Sequence, residues 1–170
     1  MGSRRRRRSV PAALAVLGAI GATSLATADE EIVKKGKLRS DGVLTVGQPE
    51  TVTIKGLPPK LKVRMSVSAN DTRCQTQKVG YCTPEPAKRV AGTPRFRTNG
   101  KGRATLTFVM PASYEFLHLK PPFKSNRVQF TSGEPLLVDA TVDTAVRVHG
   151  ESRHLIGIAE GQAVAEVPTS

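Results

Sequence analysis

The sequence has no Trp, seven Phe and Tyr together, and two Cys in 170 residues, and each scarcity removes a class of function. Carbohydrate modules built on aromatic platforms, and single-strand nucleic-acid binders that stack bases on exposed rings, both need aromatics to spare. Phe108 and Phe130 fall at inward strand positions, so fewer still are left for a surface. Two thiols without a neighbouring Cys/His pair cannot complete the usual four-ligand zinc site. Their spacing, Cys74 and Cys82, is not that of a C-x-x-C redox motif either. The G-x-S-x-G turn, H-E-x-x-H, the P-loop and the dinucleotide glycine pattern are all missing. Paired acids for glycoside hydrolysis are not evident. The expectation is therefore a non-catalytic chain, not an enzyme, with no cofactor and no metal. His149 and His154 flank Gly150-Glu151-Ser152-Arg153 and read as exposed turn-flanking side chains; a metal held by both with Glu151 is the alternative. Asp139 and Asp143, four residues apart on one strand face, lie roughly 13 Å from each other, too far to share one calcium ion unaided.

Long apolar runs are also missing, with one exception at the N-terminus. Residues 4–8 are five consecutive Arg, residues 10–26 are almost wholly Ala, Gly, Leu, Val and Ile, and Ala26-Thr27-Ala28 closes the run. Cations, an apolar stretch and a small-x-small site are the parts of a bacterial export signal peptide, expected to occupy residues 1–28 and to be cleaved between Ala28 and Asp29. An uncleaved anchor is the alternative, but Pro11, Gly18, Gly21, Thr23 and Ser24 dilute the run below the roughly 20 apolar residues of a spanning helix. Ser9-Val10-Pro11 is a poor twin-arginine continuation, which favours the general secretory route, and no Cys stands near the cleavage point for a lipid anchor. A secreted or envelope-associated protein meets an oxidising compartment. The even cysteine count then reads as one disulfide, Cys74–Cys82, whose short loop stabilises by about 2–3 kcal/mol.

The formal charge of +12 shrinks once residues 1–28 are set aside. Five Arg and no acid leave with them, so the remaining chain has 21 basic and 14 acidic residues, a net of +7. From residue 55 to 127 there are 15 Lys and Arg against Asp71, Glu85 and Glu115, whereas residues 128–170 carry two bases and six acids. The candidate basic face is Lys62, Arg64, Arg73, Lys78, Lys88, Arg89, Arg95, Arg97, Lys101 and Arg103. Such a face attracts an anionic envelope polymer, a membrane surface or a protein partner. The bland alternative is a set of solvated surface charges.

Period-two alternation recurs and helical periodicity is almost absent. Val52 and Ile54 alternate within 51–55. Leu61, Val63, Met65 and Val67 alternate within 61–68. Ala104, Leu106, Phe108 and Met110 do so after an Asn99-Gly100-Lys101-Gly102 turn. Residues 128–131 form a further strand, and 136–148 form a long one expected to bend or split near Thr144. Residues 155–159 and 163–167 read as two short strands around Gly161-Gln162, and 29–43 as a lead-in or edge strand. Seven or eight strands with turn punctuation predict an all-β, immunoglobulin-like antiparallel β-sandwich over 44–167, with a small barrel as the rival.

Across 52–110, the order is a strand ending in Gly, an alternating strand, a Cys loop closed by Cys82-Thr83-Pro84, an Arg97-Thr98-Asn99-Gly100 turn and a Thr-rich strand. This order resembles the neocarzinostatin-like family of enediyne apoproteins. The resemblance implies an immunoglobulin-like sandwich with a short disulfide beside a ligand cleft, Cys74–Cys82 being the counterpart. Two functions stand as expectations, with an uncharacterised enzyme as the third alternative. The first is an exported module that contacts the envelope or a partner through the basic face. The second is a carrier of a small hydrophobic ligand in a cleft beside the disulfide loop, lined by Tyr81, Phe96 and Tyr114. Nucleic acid is not an expected partner.

Overall fold

Apolar residues at every second position can be buried together only when the chain is extended, and the alternating segments are strands in the computed structural model, which describes residues 31–75 and 78–169. The expected export segment and its cleavage point lie outside the described residues. Within them run β1 (Ile32–Arg39), β2 (Val43–Thr45), β3 (Pro49–Lys55), β4 (Arg64–Ala69), a single helical turn α1 (Thr72–Gln75), β5 (Gly80–Thr83), β6 (Glu85–Pro86) and β7 (Lys88–Arg89). Then follow β8 (Ala104–Val109), β9 (Ser113–His118), β10 (Ser125–Gln129), β11 (Pro135–Val148) and β12 (Glu151–Glu166). The all-β class is that expected. The strands are more numerous because very short ladders, β2, β6 and β7, have no readable alternation.

The large sheet follows the order β6-β4-β11-β12-β1-β3-β8-β7, with β2 also on β12; β10-β9-β5 form a second sheet. Only Ala87 separates β6 from β7, so residues 85–89 occupy both ends of this path and the large sheet closes on itself through one short segment. The interior is filled by the inward parity of each strand, among them Val52 and Ile54, Met65 and Val67, Leu106 and Phe108, and Leu136, Val138, Ala140 and Val142. Tyr114 and Phe130 carry the second sheet onto this core, their rings 5.1 Å apart.

Strand direction departs from the all-antiparallel expectation. β1 is no edge: it lies between β12 and β3, parallel to the first and antiparallel to the second. Its charged positions, Lys34, Lys35 and Lys37, are exposed and hid its central place from the sequence. β2 adds a second parallel ladder on β12, Val43 beside Val164.

β11 does not split at Thr144. It pairs with β12 without interruption from Pro135 beside Val164 to Val148 beside Glu151, and the turn is His149-Gly150, with φ of 52° and 88°. Two positive φ values in a two-residue loop give the twist that antiparallel neighbours need. His149 therefore sits in the turn itself, and His154, opposite Ala145, instead hydrogen-bonds Asp143 at 3.1 Å. β12 is likewise one strand, not two around Gly161-Gln162. Its glycines serve close approach: a Cβ on Gly157 would lie 2.5 Å from Pro58 Cδ and 2.7 Å from Val142 Cγ2, and one on Gly161 would lie 2.5 Å from Leu38 Cδ2. Cys74 and Cys82 form the expected disulfide, tying α1 to β5.

Two predictions follow from this packing. Gly157→Ala forces its methyl against a proline ring and a branched side chain that cannot swing away, so it should destabilise by about 1–3 kcal/mol in urea unfolding; an unchanged midpoint would contradict the close approach. Asp139 has a buried, unpartnered Oδ1 and faces Glu160 across the ladder. Burial, and then the Glu160 charge, push its carboxyl from 3.8 up to about 6. Folding therefore favours the protonated acid: this contribution is fully present below pH 4 and is lost as the pH rises through 6. Asp139→Asn should stabilise by about 1–2 kcal/mol at pH 7.5, reduced from the full shift by residual solvent contact, and by nothing at pH 4. Thermal unfolding of both chains at the two pH values reads the difference.

Candidate functional site

The closure of the large sheet builds a pocket. Before β4 begins, residues 61–63 run antiparallel to 96–98: Val63 N–H donates to Phe96 O at 3.0 Å, Thr98 N–H donates to Leu61 O at 2.9 Å, and Lys62 faces Arg97. Buried Thr98 locks the crossing, its hydroxyl donating to Pro58 O at 2.7 Å and accepting from Leu61 N–H at 3.0 Å. On the other side Ala87 N–H donates to Met65 O at 2.9 Å, while Lys88 and Arg89 pair with Val109 and Phe108 of β8. Between these two crossings the chain of 86–97 stands away from β4 and leaves an open pocket of about 540 Å³.

Val63, Met65, Pro86, Ala87 and Phe96 supply the apolar floor; Lys62, Arg64, Arg89, Arg95 and Arg97 supply the polar lining. Alternation explains the division, because Val63 and Met65 point inward while Lys62 and Arg64 are exposed. Among the described residues no carboxylate lines the pocket. Among the described residues none of the five cations is ion-paired. Arg89 is held by a hydrogen bond from its Nη1 to the Thr93 carbonyl, and the Thr93 N–H in turn donates to Val90 O at 3.2 Å. Like charges so grouped repel one another through water, and an anion placed among them is attracted by all five.

Half of the basic residues singled out in the sequence thus meet here and half do not. Arg73 stands on α1 with its guanidinium 2.7 Å from Asp71, a hydrogen bond that holds the Asp71 carboxyl below the usual carboxylate range and raises Arg73. Lys78 lies exposed before β5. Lys88 lines a second pocket of about 340 Å³ together with Glu85 and Arg127, which are 3.5 Å apart. Lys101 and Arg103 stand on the turn that Asn99 closes, its Oδ1 accepting from both their N–H groups.

The aromatic cleft expected from Tyr81, Phe96 and Tyr114 does not form. Tyr114 is buried against Phe130, where desolvation, followed by the charge of Glu134, pushes its phenol up to about 12. Tyr81 is exposed on β5 and faces Leu117. Phe96 belongs to the basic pocket instead. The floor residues Pro86 and Ala87 carried no functional signal in the sequence, since they matter only through the closure that brings 86–97 over β4.

No family model matches the chain, and no curated protein matches it. Among solved structures it is similar to a superoxide reductase (neelaredoxin) from Ignicoccus hospitalis, at 11% identity and a TM-score of 0.34, over 78% of this chain and 80% of that one. It is also similar to the human F-spondin reeler domain (fragment 1), at 11% identity and a TM-score of 0.30, over 81% of this chain and 93% of that one. Neither is neocarzinostatin-like. The first is an enzyme, which corrects the expectation of a non-enzymatic chain drawn from missing motifs. At these TM-scores neither structure lends this chain an activity. Among the described residues no group of three or more His, Cys, Asp and Glu is placed to hold a metal ion.

Cations that hold no partner within the protein are dispensable for its stability. Arg64→Gln and Arg97→Gln should each change the unfolding free energy by less than about 0.5 kcal/mol, with any gain largest at low salt. A loss above about 1 kcal/mol in urea titration would show that these side chains serve the fold.

Proposed function

We propose that this chain is an exported β-sandwich module that binds an anionic polymer of the cell envelope at the basic pocket. The observation that carries the reading is the convergence, among the described residues, of five cations without an ion pair on one apolar-floored pocket that no carboxylate lines. Residues drawn from 62–64 and 86–97, apart in sequence, meet there by virtue of the fold. A merely solubilising set of charges has no reason to meet in this way, and acids would be expected among them. The disulfide accords with an oxidising compartment, and the N-terminal run of Arg followed by apolar residues supports export. Among the described residues no helix is long and apolar enough to cross a membrane.

A polyanion releases counterions when its charges are neutralised, so binding falls steeply with salt. With labelled polyphosphate as the probe, affinity should fall about tenfold to hundredfold between 50 and 200 mM salt. Arg64→Gln combined with Arg97→Gln should weaken binding at low salt by about tenfold and reduce the logarithmic salt slope by about 2. Binding that ignores salt, or that the double variant leaves intact, would overturn the reading.

A further inference from the structure

The β9–β10 connection exposes what folded chains normally cover. Phe123 is 64% exposed, and Val79 and Tyr81 beside it are 46% and 41% exposed. The backbone groups them: Leu119 N–H donates to Val79 O at 3.0 Å, Tyr81 faces Leu117 across the β5–β9 ladder, and His118 N–H donates to Lys124 O at 2.9 Å, closing the loop that carries Phe123. Leu117, Leu119, Val79 and Tyr81 share the outward parity of this small sheet, because Tyr114 and Phe116 take the inward one. Lys78, Lys120 and Lys124, all exposed, rim the apolar tip. The carboxylate of Glu115 on this face lies further down β9, where it accepts a hydrogen bond from Ser125 and stands opposite Arg127.

The tip is also poor in backbone donors. Pro121 and Pro122 have no N–H, and the Phe123 N–H donates to Lys120 O at 2.9 Å. Entering a medium of low polarity therefore leaves no backbone N–H of these three residues without a partner, and an unpaired N–H is one of the obstacles to such entry. An aromatic and aliphatic tip with Lys at its rim matches the layering of a lipid interface, where rings sit at the acyl boundary and ammonium groups meet phosphates.

We propose that this hairpin tip docks on an anionic phospholipid surface, Phe123 entering the acyl boundary while Lys78, Lys120 and Lys124 contact the phosphates. The surface is separate from the basic pocket, since none of its residues lines that pocket. The chain contains no Trp, so Phe123→Trp supplies a unique and local fluorescent reporter in the full chain. Attachment through any other segment leaves it in water. With vesicles of phosphatidylcholine containing about one third phosphatidylglycerol, the reporter emission should shift to the blue, with partition at least about tenfold stronger than on phosphatidylcholine alone. Lys120→Gln with Lys124→Gln should weaken that partition by about tenfold. Phe123→Ser should weaken co-sedimentation of the chain with these vesicles by about tenfold or more. Arg64→Gln with Arg97→Gln should leave the reporter's shift unchanged, which separates this surface from the pocket. Emission unchanged by the anionic vesicles, or an equal response to both vesicle types, would overturn the proposal. So would emission that shifts to the blue with protein concentration in the absence of lipid, since a second copy of the chain would then be the occupant.

Discussion

Two short ladders hold the fold shut, one from Glu85 and Pro86 to β4 and one from Lys88 and Arg89 to β8. A sheet that ends in open edges leaves rows of backbone donors and acceptors unpaired. Here a single stretch of chain covers both edges, and Ala87 passes from one to the other. The ladders are too short to exert much stabilisation alone. They are held in place by the rest of the sheet, whose spine is the uninterrupted β11–β12 pairing. Glycines in β12 let Pro58 and Leu38 approach that spine closely, so the wrapping of the sheet and its closure are parts of one packing solution.

The same closure sets the chemistry of the surface. Chain that must span from β4 to β8 and return to pair with 61–63 cannot lie flat on either, and the gap beneath it is the pocket. Its walls alternate as strands do: inward residues give an apolar floor, and the outward neighbours are Lys and Arg. The result is a site suited to a ligand with negative charge and some apolar body. The acidic C-terminal third of the chain contributes no residue to this lining. On the second sheet a different division holds, with apolar side chains outward at the tip and Lys around them. The molecule thus presents charge over an apolar floor at one place and apolar groups within a charged rim at another.

Much of this fold is legible in the sequence, and the illegible parts have a common cause. The parity of Val52 and Ile54, of Leu106 and Phe108, and of Leu136 through Val142 fixes which faces are buried, because burial on an extended chain admits no other period. The pairing of Cys74 with Cys82 follows from an even count in an oxidising setting. Gly161 misleads, because a glycine that admits a neighbouring Leu38 looks the same in sequence as one that turns the chain. β1 misleads for a similar reason, since its lysines face solvent from the middle of a sheet as they would from an edge. Among the site residues, the excess of cations between 55 and 127 was visible, but which five converge depends on long-range pairing of Lys62 with Arg97 and of Met65 with Ala87. Tyr81, Phe96 and Tyr114 were grouped by residue type, and the structure sends one into the core, one to solvent and one to the basic pocket.

The central claim is that anions are drawn to one place on this surface and not to its net charge at large. Backbone amide shifts recorded while inorganic phosphate is titrated in at constant ionic strength test it most directly. The account predicts saturable shifts confined to residues 62–65, 87–89 and 95–97. Shifts spread evenly over the exposed cations, Lys34, Lys60, Lys101 and Lys120 included, and proportional to phosphate without saturation, would contradict it.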